Sequence, residues 1–185
     1  ALVPSRSLVD ALAGWGDEVL GLREWAQPIP RESLHVTLAF LGELGGEAAG
    51  RAGEVIRGVE AQRVALRLDP RVAGVPSRRP RVLAFAESAG EVRSLKDEVA
   101  GALAGAGVYE PESRRFWSHL SVARVRRGSL GDREVRSAIA ALPPLSGEAL
   151  PGCPAERLVL YRSHLGAERA RYEPLAELAL PGDRP

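Results

Sequence analysis

The chain has 185 residues, of which 45% are hydrophobic and 26% are charged, and its formal net charge is +1. The length predicts one well-packed domain over residues 1–185 and is short for two ordinary domains, and the composition is that of a soluble globular protein. A net charge near zero gives no general argument for nucleic-acid binding, and no apolar run is long enough to span a membrane.

Cysteine usage and the start of the chain favour a cytoplasmic location. The single cysteine, Cys153, excludes an internal disulfide and fits a reducing compartment, and no secretory signal is visible. Nothing in the sequence indicates an obligate protein partner. Because the chain contains no methionine, we expect Ala1-Leu2-Val3 to be the remainder of a longer first strand.

The first part of the chain predicts a helix followed by two strands. Apolar residues spaced four, three and four positions apart form one stripe of the helix, and Ser5 is placed to cap it. Residues 22–25 predict a short strand that ends at the turn 28–30, because proline cannot donate to a ladder. The next strand covers residues 34–42. The helical stripe consists of Leu8, Leu12, Trp15 and Val19.

The middle of the chain predicts helices at 45–62 and 92–103, with two strands between them. The first of these strands covers 64–68 and is expected to stop at Pro70. The second covers 81–85 and follows a turn rich in proline and arginine.

The last part adds a strand at 116–125, a helix at 132–142 and strand-like runs at 157–161 and 175–180. Strands and helices are mixed throughout, and no low-complexity linker separates the two halves. We therefore predict an α+β fold in which two pseudo-equivalent lobes share one domain.

The strands predicted at 34–42 and 116–125 carry two copies of one pattern. Each copy has a histidine, an apolar residue, a hydroxyl residue, a second apolar residue and an alanine. Since a strand projects alternate side chains to one face, the histidine and the hydroxyl of each copy should point the same way. The copies are His35-Val36-Thr37-Leu38-Ala39 and His119-Leu120-Ser121-Val122-Ala123, and the apolar residues expected to face the core in the first are Leu34, Val36, Leu38 and Phe40.

Two imidazoles facing one cleft suit a reaction that removes one proton and delivers another. One histidine can act as base while the other acts as acid, because the ordinary imidazole pKa is about 6.5. Hydrolysis of a phosphodiester has this need, and the hydroxyls of Thr37 and Ser121 could donate to the phosphate oxygens. Such a site requires no metal and no cofactor, and the sequence lacks the cysteine pairs and the His-x-His spacing typical of zinc sites.

The two copies resemble the paired His-x-Thr/Ser signatures of the 2H phosphoesterases. Within that superfamily they are most similar to the RNA 2′,3′-cyclic phosphodiesterases, historically named 2′-5′ RNA ligases. The resemblance covers nearly the whole chain, including 80–86, 160–163 and 171–175. It implies a bilobal 2H phosphoesterase fold with a central cleft, helices outside the sheets, and hydrolysis of a 2′,3′-cyclic phosphate on RNA ends or small cyclic nucleotides to a 2′-phosphate.

The resemblance also implies roles for five residues. His35 would protonate the departing 3′ oxygen as the general acid, and His119 would activate the attacking water as the general base. Thr37 and Ser121 would hold the phosphate, and Arg124 would add a charge-assisted contact to it. Two alternative functions stay open, which are RNA ligation by the reverse chemistry and nucleotide binding without turnover.

Arg124 poses a geometric problem, because it lies five residues beyond His119. In a flat strand an odd separation places two side chains on opposite faces, so Arg124 reaches the phosphate only if the strand ends or bulges near Ala123. Phe40 holds the corresponding position after His35, and the two halves therefore differ chemically at this point.

Three other features each have two interpretations. Arginines gather around the second motif, either as a functional basic rim or because Lys96 is the only lysine in an arginine-rich chain. Trp117 could stack on a base or belong to the core or rim, and His164 is expected to be structural or exposed. The arginines are Arg114, Arg115, Arg124, Arg126, Arg127, Arg133 and Arg136.

Overall fold

Two four-stranded antiparallel sheets form the framework of the protein in a computed structural model, which describes residues 1–60, 62–146, 152–166 and 170–181. The predicted α+β class is confirmed. The strands are β1 (Leu2–Pro4), β2 (Ala26–Pro28), β3 (Ala65–Leu66), β4 (Leu68–Val75), β5 (Val82–Glu87), β6 (His119–Val125), β7 (Cys153–Leu165) and β8 (Ala170–Ala179). The helices are α1 (Arg6–Leu20), α2 (Gly46–Gly58), α3 (Gly90–Gly105) and α4 (Asp132–Ala140), with a short 3-10 helix at Arg31–Ser33.

The two sheets differ in how their strands are arranged. In one sheet, β7 pairs with β1, β3 and β8, and in the other the order is β2-β6-β5-β4. The strand β6, which carries the second motif, is therefore held on both sides by neighbours. A strand bonded along both edges is a rigid support for functional side chains.

Helix α1 begins where the sequence predicts. The Ser5 hydroxyl accepts a hydrogen bond from the Leu8 amide at 3.4 Å, which satisfies one of the free amides of the first turn. Leu8, Leu12 and Trp15 of the apolar stripe are buried and Val19 is half-buried. The Trp15 ring meets the Phe85 ring of β5 edge-on with the ring centroids 5.1 Å apart. Helix α1 thus packs against the sheet that contains β6.

Two predictions about prolines are wrong for the same reason. Residues 22–25 form a turn rather than a strand, and β2 starts after them and includes Pro28. Pro70 does not stop its strand, because β4 continues through it to Val75. Both β2 and β4 are edge strands, where a residue without an N–H can be placed without breaking a ladder bond.

The stretch 34–42 is extended but is not the regular strand that the sequence predicts. Its pairing within the described structure is confined to Val36, which bridges to Leu2 of β1 on one side and to Leu120 of β6 on the other. Since β1 and β6 belong to different sheets, this one residue joins the two sheets.

The prediction that Phe40 faces the core is wrong. Leu34 and Leu38 are buried as expected, whereas the Phe40 side chain is 70% exposed. Strand alternation is imposed by pairing, and no pairing holds the backbone of this segment beyond Val36.

Three further boundaries differ from the predicted ones. The strand β6 begins at His119 rather than at residue 116, and β7 and β8 are longer than the runs predicted in the tail.

Among the residues described, no helix is long and apolar enough to cross a bilayer.

Replacing Phe85 with alanine should lower the free energy of unfolding by about 3–5 kcal/mol, because the buried ring leaves a cavity beneath Trp15. The matched control is Phe40→Ala, which removes an exposed ring and should change the free energy of unfolding by no more than about 0.5 kcal/mol. Denaturant unfolding measures both values, and equal losses would contradict this description of the core.

Candidate active site

The pairing at Val36 brings the two sequence motifs together. The Leu2 amide donates to the Val36 carbonyl at 2.8 Å, and the Val36 amide donates to the Leu2 carbonyl at 2.9 Å. On its other side Val36 pairs antiparallel with Leu120, the corresponding residue of the second motif. The centre of one motif therefore lies directly opposite the centre of the other.

This pairing sets the positions of the four polar side chains. In an antiparallel pair, the residue before Val36 lies opposite the residue after Leu120, and the reverse holds on the other side. His35 is thus beside Ser121, and Thr37 is beside His119. All four line one cleft, whereas Val36 and Leu120 point into the core and are fully buried.

Arg124 reaches the same cleft because β6 bulges. Ala84 of β5 pairs with Ser121, but its neighbour Leu83 pairs with Ala123, so Val122 is an extra residue in β6. One extra residue reverses the alternation, which turns Arg124 to the face that carries His119 and Ser121. Arg124 lines the cleft, and the bulge lies where the sequence requires one for this residue to reach a phosphate.

Both histidines are held by the same local hydrogen bond. The Nδ1 atom of His35 lies 2.8 Å from the Ser33 carbonyl, and the Nδ1 atom of His119 lies 2.9 Å from the Trp117 carbonyl. A carbonyl oxygen can only accept, so Nδ1 carries the hydrogen in each ring. The Nε2 atom of each ring is left to exchange a proton with a substrate.

The surroundings of the two rings are different. Tyr172 and Tyr161 pack against each other beside the His35 ring, with ring centroids 4.9 Å and 5.7 Å from it. Burial is the largest cause that lowers the pKa of His35 from 6.5 to about 4. His35 is therefore a neutral imidazole at neutral pH in the unliganded protein.

The His119 ring is instead in contact with the indole ring of Trp117. The Trp117 ring stacks on the imidazole with centroids 4.3 Å apart and an angle of 13° between the planes. Trp117 is 41% exposed, so it is neither a core residue nor free to stack both faces on bases. It covers one face of His119 and limits the orientations that this ring can adopt.

The sequence motifs give no indication of the part played by two tyrosines of the last two strands. Tyr161 is on β7 and Tyr172 is on β8, and Tyr172 lines the cleft. The feature that brings these tyrosines to the cleft is strand pairing. β8 pairs with β7, β7 pairs with β1, and β1 lies beside the first motif. Gln27 of β2 is a second lining residue that has no sequence motif.

The remaining histidine lies away from this arrangement. The exposed His164 side chain meets Glu173 at 2.8 Å, which agrees with its prediction as a structural or exposed residue. Across the described ranges, no three His, Cys, Asp or Glu residues come together in a way that could hold a metal ion. The ionisable side chains that line the cleft are two imidazoles, one guanidinium and the Tyr172 phenol.

Two curated relatives are RNA 2′,3′-cyclic phosphodiesterases by name. An RNA 2′,3′-cyclic phosphodiesterase of Aeropyrum pernix is 30% identical over 121 residues, which are 64% of this chain and 68% of that protein. One of Aquifex aeolicus is 27% identical over 107 residues, which are 56% of this chain and 55% of that protein. No protein-family model matches the chain.

Solved structures share the fold over nearly the full length. E. coli LigT in complex with 3′-AMP superposes with a TM-score of 0.73 at 21% identity, covering 97% of this chain and 95% of LigT. A Thermus thermophilus protein superposes with a TM-score of 0.71 at 23% identity, covering 100% of this chain and 97% of that one. At these identities the likeness establishes the architecture.

We expect the imidazole signals of His35 to titrate with a midpoint near pH 4 in the folded protein, well below the ordinary 6.5. Because the unfolded chain binds this proton more readily, acidification from about pH 6.5 to 4 should also favour unfolding. NMR titration measures the midpoint, and His35→Gln identifies the signals. A midpoint near pH 6.5 would show that the ring is not desolvated in this way.

Proposed function

The chain belongs to the RNA 2′,3′-cyclic phosphodiesterase family, and we propose that it hydrolyses the 2′,3′-cyclic phosphate of an RNA end to a 2′-phosphate with His35 as general acid and His119 as general base. The observation that carries this proposal is the shared cleft, into which two histidines and two hydroxyls project from paired motifs. In an in-line displacement at phosphorus, a base on one side of the phosphate activates the attacking water and an acid on the other side protonates the leaving oxygen. Two imidazoles can fill these two roles.

The reaction needs two proton transfers. As the water oxygen bonds to phosphorus, Nε2 of His119 takes a proton from it. The bond from phosphorus to the 3′ oxygen breaks, and Nε2–H of His35 delivers a proton to that oxygen. One proton is removed from water and one is delivered to the 3′ oxygen, so the two proton transfers balance. The pair of histidines is therefore sufficient for the chemistry, and the scheme contains no metal ion.

Charge builds on the non-bridging phosphate oxygens during attack. The hydroxyls of Thr37 and Ser121 can donate to those oxygens, and the Arg124 guanidinium can add a charge-assisted contact. The bulge at Val122 supports this role, because it places Arg124 on the face of the strand that carries Ser121. These donors are anchored on backbone that is paired or buried on its opposite face, which limits reorganisation during the reaction.

His35 must carry a proton to act as an acid, although burial keeps it neutral in the unliganded protein. A phosphate anion within a few ångströms raises the pKa of a neighbouring imidazole, by about 1–3 units for a close pair of opposite charges. Substrate binding therefore supplies the condition under which His35 is protonated. Crystal structures of E. coli LigT with phosphate and with 3′-AMP support the use of this fold for such ligands.

Replacing either His35 or His119 with alanine should lower kcat for a 2′,3′-cyclic nucleotide by about a hundred- to ten-thousand-fold, because each removes one proton transfer. Steady-state kinetics measures the loss, and circular dichroism confirms that each variant is folded. The control is His164→Ala, which removes an exposed histidine outside the cleft and should leave kcat unchanged. Full activity in either cleft variant would refute the proposal.

The two roles can be separated with an activated substrate. In a 3′-deoxynucleoside 2′-(4-nitrophenyl phosphate), the leaving group departs as a stable anion and needs no acid. His35→Ala should then lose much less activity than on the cyclic phosphate, whereas His119→Ala should lose as much on both. The opposite pattern would assign the base to His35.

A further inference from the structure

The pseudo-symmetry of the cleft ends at Phe40 and Arg124, which hold matching positions in the two motifs. The surface next to Phe40 is a shallow groove with apolar walls, and its charged lining residues are Glu110 and Glu112. The surface next to Arg124 is rich in arginine. The surfaces next to these two matching positions therefore carry opposite charges.

Three segments make up the arginine-rich side, and we call it the basic surface. They are the turn before β5 (78–81), the end of β6 with the two residues that follow it (124–127) and the first half of α4 (132–136). Eight arginines and two acidic residues give these segments a net charge of +6, and since the whole chain has only +1, the rest of the chain carries −5. The arginines are Arg78, Arg79, Arg81, Arg124, Arg126, Arg127, Arg133 and Arg136.

Contacts show that the three segments meet. The Val125 amide of β6 donates to the Arg81 carbonyl at 2.9 Å, which joins the strand end to the turn. The Arg136 guanidinium donates to the Arg78 carbonyl at 2.6 Å, which joins α4 to the same turn. Arg79 also contacts Asp132 of α4 at 3.1 Å. The basic surface is therefore continuous from Arg124 in the cleft outward.

Most of its charge is not neutralised locally. Asp132 is shared by Arg79 and Arg81, and Glu134 accepts a hydrogen bond from the Gly131 amide at 2.8 Å. The side chains of Arg126, Arg127 and Arg133 are exposed, and none forms an ion pair with a carboxylate within the described part of the chain. Uncompensated arginines on an exposed surface attract polyanions.

We propose that the basic surface binds the phosphodiester backbone on the 5′ side of the cyclic phosphate, so that the enzyme selects oligoribonucleotides over cyclic mononucleotides. This inference rests on the proposed function. Arg126 lies just beyond the end of β6 and two residues after Arg124, so at most about 7 Å of chain separates it from the arginine in the cleft. Guanidinium groups bind phosphates bidentately, and the glutamates beyond Phe40 would repel a strand leaving the other way.

The test compares two substrates, a hexaribonucleotide with a 2′,3′-cyclic phosphate end and 2′,3′-cyclic AMP. In Arg126→Gln/Arg127→Gln, the ratio of kcat/KM for the oligonucleotide to that for the mononucleotide should fall about tenfold. Two lost phosphate contacts should also make the slope of log affinity for the hexanucleotide against log salt shallower by about 1.4. The matched control, Arg51→Gln/Arg93→Gln, removes two exposed arginines from α2 and α3 and should leave the ratio unchanged.

The proposal is overturned if the ratio in Arg126→Gln/Arg127→Gln equals that of the parent, or if the control variant lowers it equally. Turnover of neither substrate by the parent would refute the proposed function instead. Fluorescence anisotropy of a labelled hexanucleotide then tests the basic surface by itself. Weaker binding in Arg126→Gln/Arg127→Gln alone supports it, and equal binding in all three proteins overturns it.

Discussion

Val36 is bonded to β1 through its amide and carbonyl, and on its other side it pairs with Leu120 of β6. This contact is the constraint on which the site depends, because it joins two sheets and fixes the register of the two motifs in one step. A slip of one residue would turn every polar side chain of a motif into the core. The full burial of Val36 and Leu120 opposes such a slip, since their exposure would cost hydrophobic free energy.

The same backbone geometry produces two chemically different histidines. Each ring is oriented by a hydrogen bond to the carbonyl two residues before it, so the difference lies in what surrounds the ring. His35 is desolvated by burial beside two tyrosines, which keeps its pKa low in the unliganded protein. His119 has one face covered by Trp117. A symmetric framework with asymmetric packing can thus supply one acid and one base, as the reaction requires.

The mixed order of helices and strands predicted the α+β class, and the repeated pattern, through its resemblance to known signatures, predicted the family and five of the residues that line the cleft. Strand alternation placed His35 with Thr37 and His119 with Ser121, and the parity of Arg124 identified the position of a bulge. These predictions depend on the alternation of side chains along a strand, which holds wherever the backbone is paired with a neighbouring strand.

The wrong predictions concern residues whose positions are decided by the tertiary structure and not by the local sequence pattern. Phe40 is exposed because pairing of its segment ends at Val36, and Pro70 lies within a strand because β4 is an edge. Tyr172 and Trp117 surround the histidines through contacts between elements or within a loop, which no periodicity reveals. Whether the arginines form a basic rim also depended on tertiary contacts, since three separate segments bring them together.

The central claim is that a pair of histidines hydrolyses a cyclic phosphate toward the 2′ position without a metal ion. The most direct measurement is incubation of the parent protein with an RNA that ends in a 2′,3′-cyclic phosphate, in the presence of EDTA, with the product identified by phosphorus NMR. We predict a 2′-phosphate, formed at the same rate with and without EDTA. A 3′-phosphate product, or turnover that begins only when a divalent metal is added, would contradict the claim.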